Sequence, residues 1–172
     1  MQLPSLVRAV TTSALDNARA ATGAVRLAVQ DRDALAPRAD DEAAARGDLA
    51  LLSRAQCRAL LATRTVGRLA YVARAGVPDI APVNYALDGD DVLVRSGPGP
   101  KLQAAQRGDV VAFEVDDLDE DGRTGWSVVV VGRASVVRPG QQAADGPVPW
   151  SNGPRRHLLR ITPARVTGRR LA

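Results

Sequence analysis

Lysine is almost missing from this chain. Of its 23 basic residues only Lys101 is a lysine, and cysteine and histidine are also down to a single copy each. One cysteine, Cys57, excludes an intramolecular disulfide and a thiolate metal cluster, and it suits a reducing compartment. It sits in a short amphipathic helical stretch and reads as a buried packing residue. One histidine, His157, leaves no metal-ligand spacing and has no obvious carboxylate partner, so it reads as a surface or interface group ahead of a general acid. Aromatics make up only 3% of the chain (Tyr71, Tyr85, Phe113, Trp126 and Trp150), too few for the stacking platforms of single-strand nucleic-acid binders. No run reaches the roughly 20 apolar residues of a spanning helix. The N-terminus also lacks the basic start and unbroken apolar core of a secretion signal. The expectation is a cytoplasmic protein with no membrane partner.

At 172 residues and 45% hydrophobic content, the chain is long enough for one well-buried domain plus an extension. Its formal charge of +4 and pI near 10.2 permit a polyanion partner. The arginines are scattered and no block of five like charges occurs, so a nucleic-acid partner is not expected. Residues 1–30 are Ala-rich, with Leu6, Val7, Val10, Ala14, Val25 and Val29 at loosely helical spacing, although Gly23 weakens the pattern. Residues 31–48 are charged and broken by Pro37, as a linker would be. The division is therefore an N-terminal extension, 1–48, partly helical and then linker, followed by a folded domain, 49–172.

Ser53-Arg54-Ala55-Gln56 has the form of a capping box, with Cys57, Leu60 and Leu61 following at helical spacing, so a short helix opens the domain. The period then becomes strand-like over 66–74, 80–87, 91–96, 109–117, 126–137 and 157–168. Turn residues separate the runs, as at Gly76-Val77-Pro78-Asp79 and Asp88-Gly89-Asp90-Asp91. Only one helix, about 100–107, interrupts the series. A mainly β, six-stranded antiparallel barrel with a few short helices is the economical solution, because closure removes exposed edges. The run Ser127-Val128-Val129-Val130-Val131-Gly132 is apolar on both faces, and the simplest cover for its outer face is a second subunit in a homodimer.

The bias toward Arg and Ala suggests a high-GC genome that converts generic Lys into Arg. The surviving Lys101 closes the loop Arg95-Ser96-Gly97-Pro98-Gly99-Pro100-Lys101 at the start of a helix. A Gly/Pro loop admits backbone amides to an anion, a helix start adds positive potential, and lysine supplies a compact charge, so the loop reads as a phosphate site. A solvated helix-start lysine is the alternative. The acidic stretch from Glu114 to Asp121 resembles a paired-carboxylate site at first sight, but a strand end running into a polar turn at Gly122 is ordinarily solvated.

Six segments in order are VGRLAYV (66–72), PDIAPVNYALDGDDVLVRS (78–96), Lys101, VAFEVDDLD (111–119), TGWSVVVVGRA (124–134) and RITPARVTGRR (160–170). Together they make the chain resemble the pyridoxamine-phosphate-oxidase-like family of FMN-binding split barrels, especially its small actinobacterial branch. The resemblance implies a split β-barrel, a homodimer and an FMN cofactor. It also implies that the strand Pro82, Val83, Asn84 and Tyr85 lies along the isoalloxazine ring and that Arg95, Ser96 and Lys101 hold the phosphate. Trp126 and Ser127 would contact the cofactor, often across the dimer interface. Trp126 reads equally as a core plug, and Tyr85 as an ordinary strand tyrosine. The chain departs from the better-known oxidases in having Pro100 where they place an Arg before the lysine, a loss Arg95 could offset. It also lacks their substrate-specific C-terminal arginines, which argues against vitamin B6 oxidation.

The expected function is a flavin-dependent oxidoreductase passing hydride or electrons to a small organic substrate. No protein acid, base or nucleophile stands out, as befits chemistry carried by the cofactor. The alternatives are a reductase using the deazaflavin coenzyme F-420, whose long anionic tail would suit Arg155, Arg156, Arg169 and Arg170, and a non-enzymatic flavin- or haem-binding stress or sensor protein. A basic nucleic-acid-binding barrel ranks last, since it would need arginines concentrated on one face.

Overall fold

The computed structural model describes residues 49–138, 140–141, 146–150 and 154–171. The helix and linker expected within 1–48 lie outside the described residues. The elements are β1 (Leu49–Leu51), α1 (Arg54–Leu61), β2 (Val66–Val72), β3 (Pro78–Asp88), β4 (Asp91–Ser96), α2 (Pro100–Arg107), β5 (Val110–Asp119), β6 (Thr124–Val136) and β7 (His157–Leu171). Every strand pairing is antiparallel. The order β7-β4-β3-β2-β5-β6 returns to β7 through a long β6–β7 ladder, which closes a six-stranded barrel. The short β1 hangs on the end of β7, from Leu49↔Leu171 to Leu51↔Arg169.

The six barrel strands lie where the alternating pattern put them, because period-two burial is what a barrel wall imposes. Val111, Phe113 and Val115 of β5 and Val128, Val130 and Ala134 of β6 turn inward. Phe113 is fully buried and meets the Tyr85 ring edge to face, with centroids 4.9 Å apart. The outer residues Val129 and Val131 of β6 are half-buried, so the valine run is covered on one face and only partly on the other. At Gly132 the ladder with β7 shifts, and a Cβ there would strike the Thr162 carbonyl. Pro163 occupies the same irregularity, where a proline costs the sheet little.

The capping box of α1 is complete: Ser53 Oγ accepts from the Gln56 amide at 3.4 Å, and Gln56 Oε1 accepts from the Ser53 amide at 2.8 Å. Cys57 and Leu61 then point into the barrel. Burial raises the Cys57 thiol pKa, which suits a packing role. The second helix, α2, ends at Gly108, whose left-handed φ of 71° lets its amide reach the Ala104 and Ala105 carbonyls. The carboxylates of the acidic stretch turn to arginines and to the polar turn. Glu114 and Asp116 turn to Arg68 at 2.9 and 2.5 Å, Asp117 pairs with Arg64, and Asp119 accepts from the Gly122 amide in the turn.

Candidate functional site

The barrel wall is forked between β3 and β4. The two strands pair only from Tyr85↔Val94 to Asp88↔Asp91, whereas Pro78 to Asn84 keep β2 as their sole strand partner among the described residues. The Tyr85 amide donates to the Thr65 carbonyl on the β2 side at 3.1 Å. Backbone groups alternate in direction along an antiparallel strand, so those of Ile80, Pro82 and Asn84 face the open side of the fork. Pro82 lacks an amide hydrogen at a position where no ladder bond would use it, which is where an edge strand tolerates proline.

Side chains alternate across the other axis. Val83 and Tyr85 are buried at 3% and 4% exposure, while Pro82 is exposed and Asn84 half-buried on the outer face. The Tyr85 hydroxyl donates to the Leu61 carbonyl, and burial, opposed by the charge of Arg64, pushes its pKa up to about 12. Its ring is therefore core, and only its strand position borders the fork.

On the other arm, β4 leaves the sheet at Ser96 and the chain turns through Gly97, Pro98 and Gly99 into α2. A cleft of about 330 Å³ opens here, lined by 96–101 together with Pro154 and Arg155. No carboxylate lines it. Gly99 has φ 144°, a conformation glycine alone adopts readily, and it offers no side chain to cap the helix. Pro100 brings no amide hydrogen, and the Gln103 amide is taken by the Gly99 carbonyl. The amides of Lys101 and Leu102 lie in the first turn, where an α-helix leaves donors without intrahelical acceptors. Lys101 is half-buried, with Nζ over the Tyr71 ring. Ser96 is 2% exposed and donates its hydroxyl to the Gly97 carbonyl at 2.9 Å, which fixes the turn.

Arg95 does not line the cleft. Its guanidinium lies beside Gly146 on the outer face, and the second cation at the cleft is Arg155, which the sequence reading gave to a deazaflavin tail and not to the phosphate loop. The signal available was the short Pro154-Arg155 approach to the last strand. His157 pairs in register with Ser96, one strand away from the cleft.

Trp126 and Ser127 are not brought to this place within one chain. Trp126 packs against the core and pairs with Asp117 and Arg170, while Ser127 pairs with Asp116 and Arg169. The end of α2 meets β6 at Arg133, which donates to the Gly108 carbonyl at 2.5 Å. Six residues of strand, about 20 Å, separate Ser127 from that contact. Among the described residues no helix is long and apolar enough to cross a membrane, and no group of three or more His, Cys, Asp or Glu could hold a metal.

Comparison with known proteins places relatives on the same frame. A family model described as pyridoxamine 5'-phosphate oxidase matches residues 53–170, which contain both arms of the fork. The uncharacterized protein Rv0080 of Mycobacterium tuberculosis is 39% identical over 128 residues, covering 70% of this chain and 84% of that protein. The FAD binding protein of Mycobacterium smegmatis is 31% identical with a TM-score of 0.56, over 72% of this chain and 99% of that one. A FAD-binding protein of Mesorhizobium loti is 25% identical with a TM-score of 0.59, again over 72% and 99%.

Proposed function

Because the chain belongs to the pyridoxamine 5'-phosphate oxidase family, we propose that it is a flavin-binding oxidoreductase, with the flavin phosphate in the cleft between β4 and α2 and the ring along the open edge of β3. The observation that carries this reading is the fork itself. One arm ends in a cleft with cations and no carboxylate, the other is a strand edge with backbone groups facing the opening, and the two arms part at a single rung. The relatives named above for FAD binding support the class of ligand.

The residues present fit such a group. Lys101 balances the phosphate charge, the first-turn amides of α2 supply directed donors, and Arg155 flanks the opening. Ser96 holds the loop in shape. The edge groups of Ile80 and Asn84 and the carbonyl of Pro82 provide donors and acceptors for the polar rim of a ring, over a floor stiffened by the Tyr85–Phe113 contact. A bound flavin supplies hydride or single-electron transfer. The chain's own work is to bind, orient and exclude water.

A homodimer completes this reading. The half-buried outer valines of β6 gain cover from a second copy, and that copy supplies the contacts of Trp126 and Ser127 that one chain leaves at the far end of the barrel. The electron acceptor is a small organic molecule, and the setting is the cytoplasm. Equilibrium titration with FMN, FAD and the deazaflavin coenzyme tests the cofactor. Binding of FMN or FAD at micromolar concentration or tighter is expected; selective deazaflavin binding replaces the flavin with that coenzyme, and binding of none of the three overturns the reading.

A further inference from the structure

Four of the five aromatic side chains serve the core, with Tyr71, Tyr85 and Phe113 buried and Trp126 packed against them. Trp150 does the opposite. The residue is 76% exposed, in a chain that has few aromatics to spare. It is not on a loose loop. The strap 146–150, between β6 and β7, begins at Gly146, where a Cβ would collide with the Leu158 side chain and crowd the Arg95 guanidinium. Pro147 follows, buried, and the strap ends with the Trp150 amide donating to Asn84 Oδ1 at 3.0 Å.

The two anchors identify what the strap does. Tyr85↔Val94 is the last rung between β3 and β4, so the next rung would join Asn84 to Arg95. That rung is missing, and the strap touches both of its residues instead, with Gly146 on the Arg95 side and Trp150 on the Asn84 side. It therefore crosses the neck of the fork and fixes the backbone of Trp150 beside the open edge of β3. Ile80, 65% exposed, and Pro82 share the outer face of β3 with Asn84 and add apolar surface next to it. An apolar wall beside a row of backbone groups that have no strand partner among the described residues suits a planar ring that has a polar rim, because stacking and edge hydrogen bonds are then satisfied together.

We propose that Trp150 is the aromatic wall of the ring site, packing its indole on the face of the isoalloxazine while Asn84 holds the strap in place. The inference rests on the flavin reading and assigns to Trp150 a contact that neither the phosphate cleft nor the β3 edge supplies. An indole in contact with the ring quenches its emission, so the bound flavin is dark in the native protein.

The test is equilibrium dialysis with FMN, paired with the emission of the bound flavin, on the native chain and on Trp150→Leu and Trp150→Phe. Trp150→Leu is expected to bind FMN roughly three- to tenfold more weakly, the range an aromatic pair contributes, and to leave the bound flavin brighter than in the native chain. Trp150→Phe should recover much of the affinity. Native affinity and undiminished quenching in Trp150→Leu overturn the role of Trp150 and leave the flavin reading intact. If the native chain binds FAD and not FMN, the same variants are read with FAD; failure to bind either flavin overturns both.

Discussion

Nζ of Lys101 stands 5.9 Å from the centroid of the Tyr71 ring, and the Tyr71 hydroxyl is tied to Asp79 Oδ2 at 2.6 Å. A cation over an aromatic face gains about 0.5–1 kcal/mol when exposed, and here the ring is immobilised from its far end. Tyr71 thus acts as a rest that keeps the ammonium at the cleft. Lys101→Ala should weaken a phosphate-bearing ligand by roughly 1–3 kcal/mol, the range for a lost charge-assisted contact, without changing the oligomeric state. Lys101→Arg should recover only part of it, since the planar fork does not reproduce a point charge. Titration of the two variants checks both statements.

The same tyrosine predicts a loss of stability in alkali. Burial first, and then the hydrogen bond and charge of Asp79, raise its pKa to about 12, and burial raises that of Tyr85 to about 12 as well. The unfolded chain releases these protons near pH 10. The stabilisation is complete below that value and is lost as pH rises from about 10 through 12, because the unfolded state then binds fewer protons than the folded one. Denaturant midpoints measured across this window should fall steeply, and Tyr71→Phe should flatten part of the slope. An unchanged slope in that variant contradicts the assignment.

Backbone contact at the barrel's irregular rung makes Gly132 a sensitive position. A methyl group there meets the Thr162 carbonyl, which cannot swing away as a side chain would. Gly132→Ala should cost about 1–3 kcal/mol through overpacking, read as a lower denaturant midpoint. Substitution at Gly89, where nothing lies within 4 Å of the added carbon, meets no such obstacle and is limited to the strain of its φ of 63°.

Association of two copies through β6 makes its own forecast. Val131 faces outward and is half-buried, so Val131→Arg introduces a charge that burial against a second copy would leave unpaired. Sedimentation should show a dimer for the native chain and a monomer for the variant, with the fold retained by circular dichroism. A native chain that sediments as a monomer contradicts the dimer.

Much of the barrel was legible because alternating valines, leucines and aromatics carry the period of a wall buried on one side. Strand ends drifted by a few residues: β3 begins at Pro78 instead of 80, and β7 runs on to Leu171. The strand Leu49–Leu51 escaped notice because three residues have no period, and only its pairing with Arg169–Leu171 defines it. The site was half legible. The solitary lysine in its Gly/Pro loop marked the cleft, but the place of Arg155 and the side on which Arg95 lies depend on how the β6–β7 connection returns across the sheet. No local pattern encodes that return. The strap left a faint sign, Gly146-Pro147-Val148-Pro149-Trp150, an apolar and rigid stretch in a connection otherwise rich in polar residues.

Comparison of FMN with riboflavin tests the central claim most directly, since the two differ only in the phosphate. Their dissociation constants would be measured for the native chain and for Lys101→Ala. If the cleft between β4 and α2 holds the phosphate, FMN binds the native chain at least about tenfold more tightly, near 1.4 kcal/mol, and the variant loses most of that preference. Equal affinity for the two ligands in the native chain, or an unaltered preference in Lys101→Ala, would contradict it.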